Sequence, residues 1–153
     1  MTTQNKTNGQ TVRDFFQAIE NKDAQNAYSI LGENTETLML AMPDEPMRGE
    51  SVKKMFESWN NAFSNLKFDI INLVETDDCV VVEYLCKGTN DGPMVSEKGT
   101  MPATHHEMSV PSCDLFRFEN GKISSWRSYW QNEVAQRQLY QQLVEQPKQS
   151  SAA

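Results

Sequence analysis

At 153 residues the chain is long enough for one domain with a real core and too short to argue for two. Its 38% hydrophobic, 9% aromatic and 23% charged residues are ordinary for a soluble globular protein. A net charge of −7 with no basic run argues against nucleic acid or an anionic membrane as partner, since phosphate contacts need a basic patch.

No apolar stretch reaches spanning length, and MTTQNKTNGQ lacks the basic and apolar regions of a signal peptide. A cytoplasmic location is the default expectation. The first ten residues are polar and are expected to be disordered. Thr11 can cap a helix in which Val12, Phe15, Phe16 and Ile19 form an i, i+3, i+4, i+7 stripe. Asp23 can cap a second helix through Ala27, Ile30 and Leu31. Thr37 to Met42 reads as a strand that Pro43 stops. Beyond the loop DEPMRG, Glu50 to Phe63 forms a third helix that buries Val52, Met55, Phe56, Trp59 and Phe63. Lys67 to Glu75 is a strand, Asp77-Asp78 a turn, and Cys79 to Lys87 a β-branched strand. Gly88 to Thr104 is loop-like. A hairpin follows over Ser109 to Gln131, then a helix from about Asn132 to Glu145 with Val134, Leu139 and Leu143 as apolar contacts. The tail from Pro147 is expected to be disordered, which leaves one domain over 11–146. Helices first and antiparallel strands after indicate an α+β domain, with helices on one face of a curved sheet.

The hairpin is the most informative segment. Its first strand carries an acid, Asp114, among apolar residues, and its second carries Trp126, Ser128 and Trp130 at period two. Residues two apart on a strand share a face, so two indoles flank a hydroxyl as pocket wall would. A two-residue turn at Asn120-Gly121 sets Asp114 opposite Arg127. A three-residue loop with a bulge at the glycine sets Asp114 opposite Trp126 and Ser112 opposite Ser128. The bulged register is preferred, because it gathers Val110, Ser112, Asp114, Trp126, Ser128 and Trp130 on one face. In a dry pocket Asp114 has a raised pKa and can shuttle protons; paired with Arg127 it is structural.

Other candidates are fewer. His106 shares parity with Met108, Val110 and Asp114 and can stand at a pocket mouth as an acid or base; its bland alternative is a solvent-facing loop residue. Tyr84 reads as pocket wall, with a hydroxyl able to orient a ligand carbonyl. Met39, Met42, Met55 and Met108 are core residues by default and together suit an adaptable apolar cavity. Cys79, Cys86 and Cys113 are odd in number, without CxxC, and read as buried free thiols. His105 and His106 point to opposite faces if extended, so no metal is expected. Val81, Leu85, Cys113 and Leu115 are apolar on the opposite sheet face, which suggests a homodimer interface.

The element order, with MRGESVKKMFESW, then FRFENGKISSWRSYW and a QL-containing helix, resembles the SnoaL-like and limonene-epoxide-hydrolase-like branch of the fold shared by ketosteroid isomerase and nuclear transport factor two. The resemblance covers roughly Val12 to Leu143. It implies a conical α+β barrel: a curved, mostly antiparallel sheet wrapped around three N-terminal helices, plus a C-terminal helix, around a deep apolar pocket. It also implies a homodimer and cofactor-independent chemistry on a small apolar or polyketide-like ligand. Residue by residue, the acid of the family's WRDY falls on Ser128, an arginine and second aspartate fall on Tyr84 and Cys86, and a tyrosine and asparagine fall on Met39 and Ala41. A frequent GTH becomes GTN at Gly88 to Asn90. An unassisted serine is too weak an acid or base to replace a carboxylate. Two readings follow: a binding protein with ligand-contacting Met39, Tyr84, Cys86, Val110, Ser112, Trp126, Ser128 and Trp130, or a cyclase, isomerase or hydrolase working through Asp114 or His106.

Overall fold

A computed structural model describes residues 6–40, 45–96 and 98–144. Helix α1 (Asn8–Glu20) turns its apolar stripe inward, burying Val12, Phe15, Phe16 and Ile19. It starts earlier than expected because Thr7, not Thr11, is the cap; the Thr7 hydroxyl accepts from the Gln10 amide at 3.1 Å. Asn8, Gly9 and Gln10 are therefore helical rather than disordered. Gly9 permits the docking. A Cβ there would stand 3.0 Å from Leu73 Cδ2, and the Gly9 amide donates to Glu75 at 2.8 Å. Residues 1–5 and 145–153, on which the expected disorder of the first residues and of the tail from Pro147 falls, lie outside the described part.

Asp23 caps α2 (Ala24–Leu31) as expected, accepting from the Asn26 amide at 3.0 Å. Helix α3 (Glu50–Ala62) buries Val52, Met55 and Phe56, and Phe63 follows as its buried C-cap. The strands are β1 (Glu36–Met39), β2 (Lys67–Glu75), β3 (Cys79–Thr89), β4 (Met94–Ser96), β5 (Gly99–Met101), β6 (Glu107–Glu119) and β7 (Lys122–Trp130). Strand β1 stops short of the expected end; Ala41, Met42 and Pro43 lie outside the described residues. The segment read as loop holds the small β4–β5 hairpin, whose three-residue strands are too short to leave a periodic signal. Asn90 anchors its base. Fully buried, it donates to the Ala62 carbonyl at 3.2 Å and the Gly92 carbonyl at 3.0 Å, and accepts from the Thr104 amide at 2.9 Å. Helix α4 (Asn132–Val144) closes the described chain, burying Ala135 and Leu139.

The fold is α+β, with a five-stranded sheet of order β1-β7-β6-β3-β2. Among the described residues, β1–β7 is the one parallel pair. The barrel expected from the resemblance is not closed: β1 and β2 are edges. Both edges are protected. The Phe68 amide on β2 donates to Glu20 of α1 at 2.7 Å, and Thr37 of β1 exchanges backbone bonds with Met47 at 2.9 and 2.7 Å. Among the described residues, no helix is long and apolar enough to cross a membrane.

The hairpin register differs from both expectations. Asn120 and Gly121 form a two-residue turn with φ of 52° and 74°, and Glu119 pairs with Lys122. Ser124 is then skipped: Phe118 faces Ile123, but Arg117 faces Ser125. This bulge lies on β7 rather than at the glycine. It sets Asp114 opposite Ser128, Phe116 opposite Trp126 and Ser112 opposite Trp130. The preferred register is two residues out, and the two-residue-turn alternative with Asp114 opposite Arg127 is one out. Because the displacement from the preferred register is even, the same side chains still face inward.

Candidate functional site

Every second residue of β3 and β6, and of β7 beyond its bulge at Ser124, points at the helices, and these positions build the site. Tyr84 of β3 faces Ser112 of β6, which faces Trp130 of β7. One row on, Val82 faces Asp114, Asp114 faces Ser128, and Ser128 is in register with Met39 of β1. One row further, Phe116 faces Trp126, which is in register with Thr37. A short polar patch thus crosses an apolar sheet face. Asp114 is 0% exposed, and Tyr84, Ser112, Trp126 and Ser128 are all buried around it.

The carboxyl is held on both oxygens. Trp126 Nε1–H donates to Asp114 Oδ2 at 2.8 Å, and the Tyr84 hydroxyl lies 3.2 Å from each oxygen. Burial pushes the Asp114 pKa up to about 7, although the bonds from Trp126, Ser128 and Tyr84 pull against it. Arg127 is exposed on the opposite face, so the structural pairing with Asp114 does not form. Burial, and then the nearby Asp114 charge, hold the Tyr84 phenol well above its ordinary value, which keeps it a hydroxyl donor. The Cys86 thiol is raised by the same two causes and is no thiolate nucleophile.

Aromatic rings from the helices and from β2 pack onto this patch. Phe15 meets Trp126 edge-on at 5.1 Å, Phe56 lies 6.1 Å from it, and Phe116 stacks on it at 5.7 Å. Phe16 sits 5.0 Å from Tyr84 and stacks on Phe68 at 4.9 Å. The side chains expected to wall a pocket therefore touch one another and these rings. Two surface concavities, of about 380 and 410 Å³, are lined from Lys6 to Ile30 and from Lys22 to Asn61; neither reaches Asp114.

Met39, Cys86 and Val110 are buried on the inner face, while Trp130 is half-buried at the end of β7. His106 is not brought to Asp114. It precedes β6, and its Nδ1 lies 3.0 Å from the Leu139 carbonyl, so the ring ties α4 to the sheet instead of standing at a pocket mouth. Sequence reasoning placed Phe15, Phe16 and Phe56 in the core without seeing that their rings pack on Trp126 and Tyr84, the hydrogen-bond partners of the acid. It did not single out Thr37 as a site residue. Among the described residues no three His, Cys, Asp or Glu side chains converge as metal ligands would.

The open sheet packed on three helices is a fold shared with a protein of ketosteroid-isomerase-like fold from Catenulispora acidiphila, TM-score 0.70 at 16% identity, and an NTF2-like protein from Cytophaga hutchinsonii, 0.60 at 19%. Within that fold, the chain belongs to the SnoaL-like polyketide cyclase family, whose model matches residues 10–139. A candidate SnoaL-like polyketide cyclase from Jannaschia sp. CCS1 superposes with TM-score 0.71 at 16% identity, covering 91% of this chain and 96% of that one. IdmH, a candidate polyketide cyclase from Streptomyces antibioticus, gives 0.72 at 15%, covering 86% and 97%. An LEH-like epoxide hydrolase from M. tuberculosis gives 0.66 at 16%, covering 90% and 92%. Among curated proteins, none matches by sequence.

Proposed function

We propose that the inner sheet face is a small-molecule site in which Asp114 exchanges a proton with an apolar, carbonyl-bearing ligand of polyketide-like character. One observation carries this reading: a lone, fully buried carboxyl, fixed by Trp126 and Tyr84, with a pKa of about 7. A group that titrates near working pH both takes and returns a proton with little penalty. Trp126 fixes one oxygen, and the Tyr84 hydroxyl is a donor that a ligand carbonyl can share. The cyclase and epoxide-hydrolase names among the structural neighbours support small-molecule chemistry. Ser128 in the family acid's place means that the work falls to a different carboxyl. Proton transfer of this kind needs no cofactor, and His106 takes no part.

Because Asp114 is wholly buried, a ligand reaches it only when Phe15, Phe16 or Phe56 moves off the sheet. The same closure supports a second reading, binding without chemistry. The two separate on 2-tetralone, a ketone with exchangeable α-protons. In D2O the wild type should accelerate loss of the α-proton NMR signal, and Asp114→Asn should slow it by about 100-fold. Equal rates in both proteins would remove the catalytic reading; binding without exchange would leave the second.

We also infer a homodimer through the outer sheet face. Val81, Leu85, Cys113 and Leu115 are half-buried there, and Tyr129 beside Cys113 is 47% exposed. Sedimentation velocity should give a dimer that Leu115→Glu converts to monomer. A wild-type monomer at every concentration would dispose of the interface.

A further inference from the structure

Among the described residues, one buried side-chain oxygen of the inner face has no hydrogen-bond partner. Thr37 of β1 is 0% exposed, and its backbone is satisfied by Met47. Its side-chain oxygen is another matter. Among the described residues, Thr37 Oγ1 is a buried side-chain oxygen with no hydrogen-bond partner. Thr35, two residues earlier and equally buried, makes the comparison telling: its hydroxyl lies within bonding distance of the Leu31 and Ile123 carbonyls. The Thr35 hydroxyl is satisfied; the Thr37 hydroxyl, in register with Trp126, is not. An unpaired buried hydroxyl destabilises the fold, and valine would fill the same space without that cost.

We propose that Thr37 is a specificity residue whose hydroxyl bonds a second oxygen function of the ligand, opposite the one met by Asp114 and Tyr84. The proposal rests on the reading of Asp114 above and names the kind of ligand that site takes. Thr37 is in register with Trp126, and Asp114 with Ser128, so the two residues stand two strands and two positions apart. Strand spacing and rise put their Cα atoms about 12 Å apart, and inward-leaning side chains leave roughly 7–9 Å between the ligand oxygens. That is the span of two fused rings substituted at opposite ends. Once Phe15 or Phe56 moves off it, the Trp126 indole, in register with Thr37 and bonded to Asp114, offers such a ring system a flat apolar surface between the two polar ends.

Naphthalene-2,6-diol and 2-naphthol differ by the second oxygen alone, and isothermal titration calorimetry of both tests the assignment. Wild type should bind the diol about 10-fold more tightly, the worth of one buried hydrogen bond. Thr37→Val should abolish that preference, leave 2-naphthol affinity unchanged and raise the melting temperature of the ligand-free protein. Thr37→Ser should keep the preference. A preference that survives Thr37→Val would overturn the proposal. So would a lower melting temperature for Thr37→Val, since the hydroxyl would then have a structural partner in solution. If 2-naphthol binds in a manner sensitive to Asp114→Asn while Thr37→Val changes nothing, this inference alone falls. If neither naphthol binds the wild type, the Asp114 reading falls with it.

Discussion

Raising the pH from about 4 to about 7 should cost the wild type about 4 kcal/mol of stability that Asp114→Asn does not lose. The sign follows from proton counting. An unfolded aspartate releases its proton near 3.8, whereas the buried Asp114 carboxyl keeps it until about 7. Between those values the native state binds more protons than the unfolded state, so stability falls as pH rises. The favourable part is fully present below the lower value and gone above the upper one. Roughly three pH units at about 1.4 kcal/mol each give the size. Asp14, Asp69 and Asp91 are held below their ordinary value, first by their bonds to Lys6, Lys87 and Ser64; their contribution is lost only as pH falls below the window. An asparagine in place of Asp114 would keep an acceptor for Trp126 Nε1–H and carry no charge to bury, so the substituted protein should be the more stable one above pH 7. Urea midpoints for both proteins across pH 4–8.5 provide the measurement. Parallel curves would mean that water already reaches the carboxyl, and the proton-transfer reading would go with them.

The fold was legible because its signals are local and redundant. The Val12–Ile19 stripe, the Asp23 cap and the Asn120-Gly121 turn each specify their element from neighbours in sequence. What was not legible depends on contacts far apart in the chain. The bulge at Ser124 carries no glycine, and nothing in KISSW says which serine leaves the ladder; the partners of Asp114 were therefore misread while its face was not. His106 could be placed on the inner face only if β6 began before it. The strand begins at Glu107, and α4 claims the ring. Thr37 gave no signal because threonine is an ordinary strand residue; its oddity is a missing partner, visible only once the surrounding atoms are in place. The family's acid positions, read along the sequence, directed attention to Ser128; the carboxyl that the fold buries is one strand over, at Asp114.

Phe15→Ala is expected to give the other large effect, and it tests whether the rings packed on Trp126 and Tyr84 shield Asp114 or are merely core. Phe15 is 0% exposed and packs on Phe16, Phe56, Phe116 and Trp126. Truncating such a phenylalanine costs about 3–5 kcal/mol, or roughly 10 °C in melting temperature for a domain of this length. That loss is common to any buried ring and decides nothing by itself. The discriminating readouts lie at the site. The space vacated beside Trp126 should admit 2-naphthol, so affinity should rise even as stability falls. Water entering the same space should ease the burial of Asp114, so its titration, followed by carboxyl-resolved NMR, should move down from about 7 toward the ordinary aspartate range. A destabilised protein with unchanged affinity and unchanged titration would show Phe15 to be core alone, and ligand entry would then have to come through Phe16 or Phe56. Tighter binding together with a lowered pKa would mean that the helix ring closes the acid from solvent, and that its displacement opens the site.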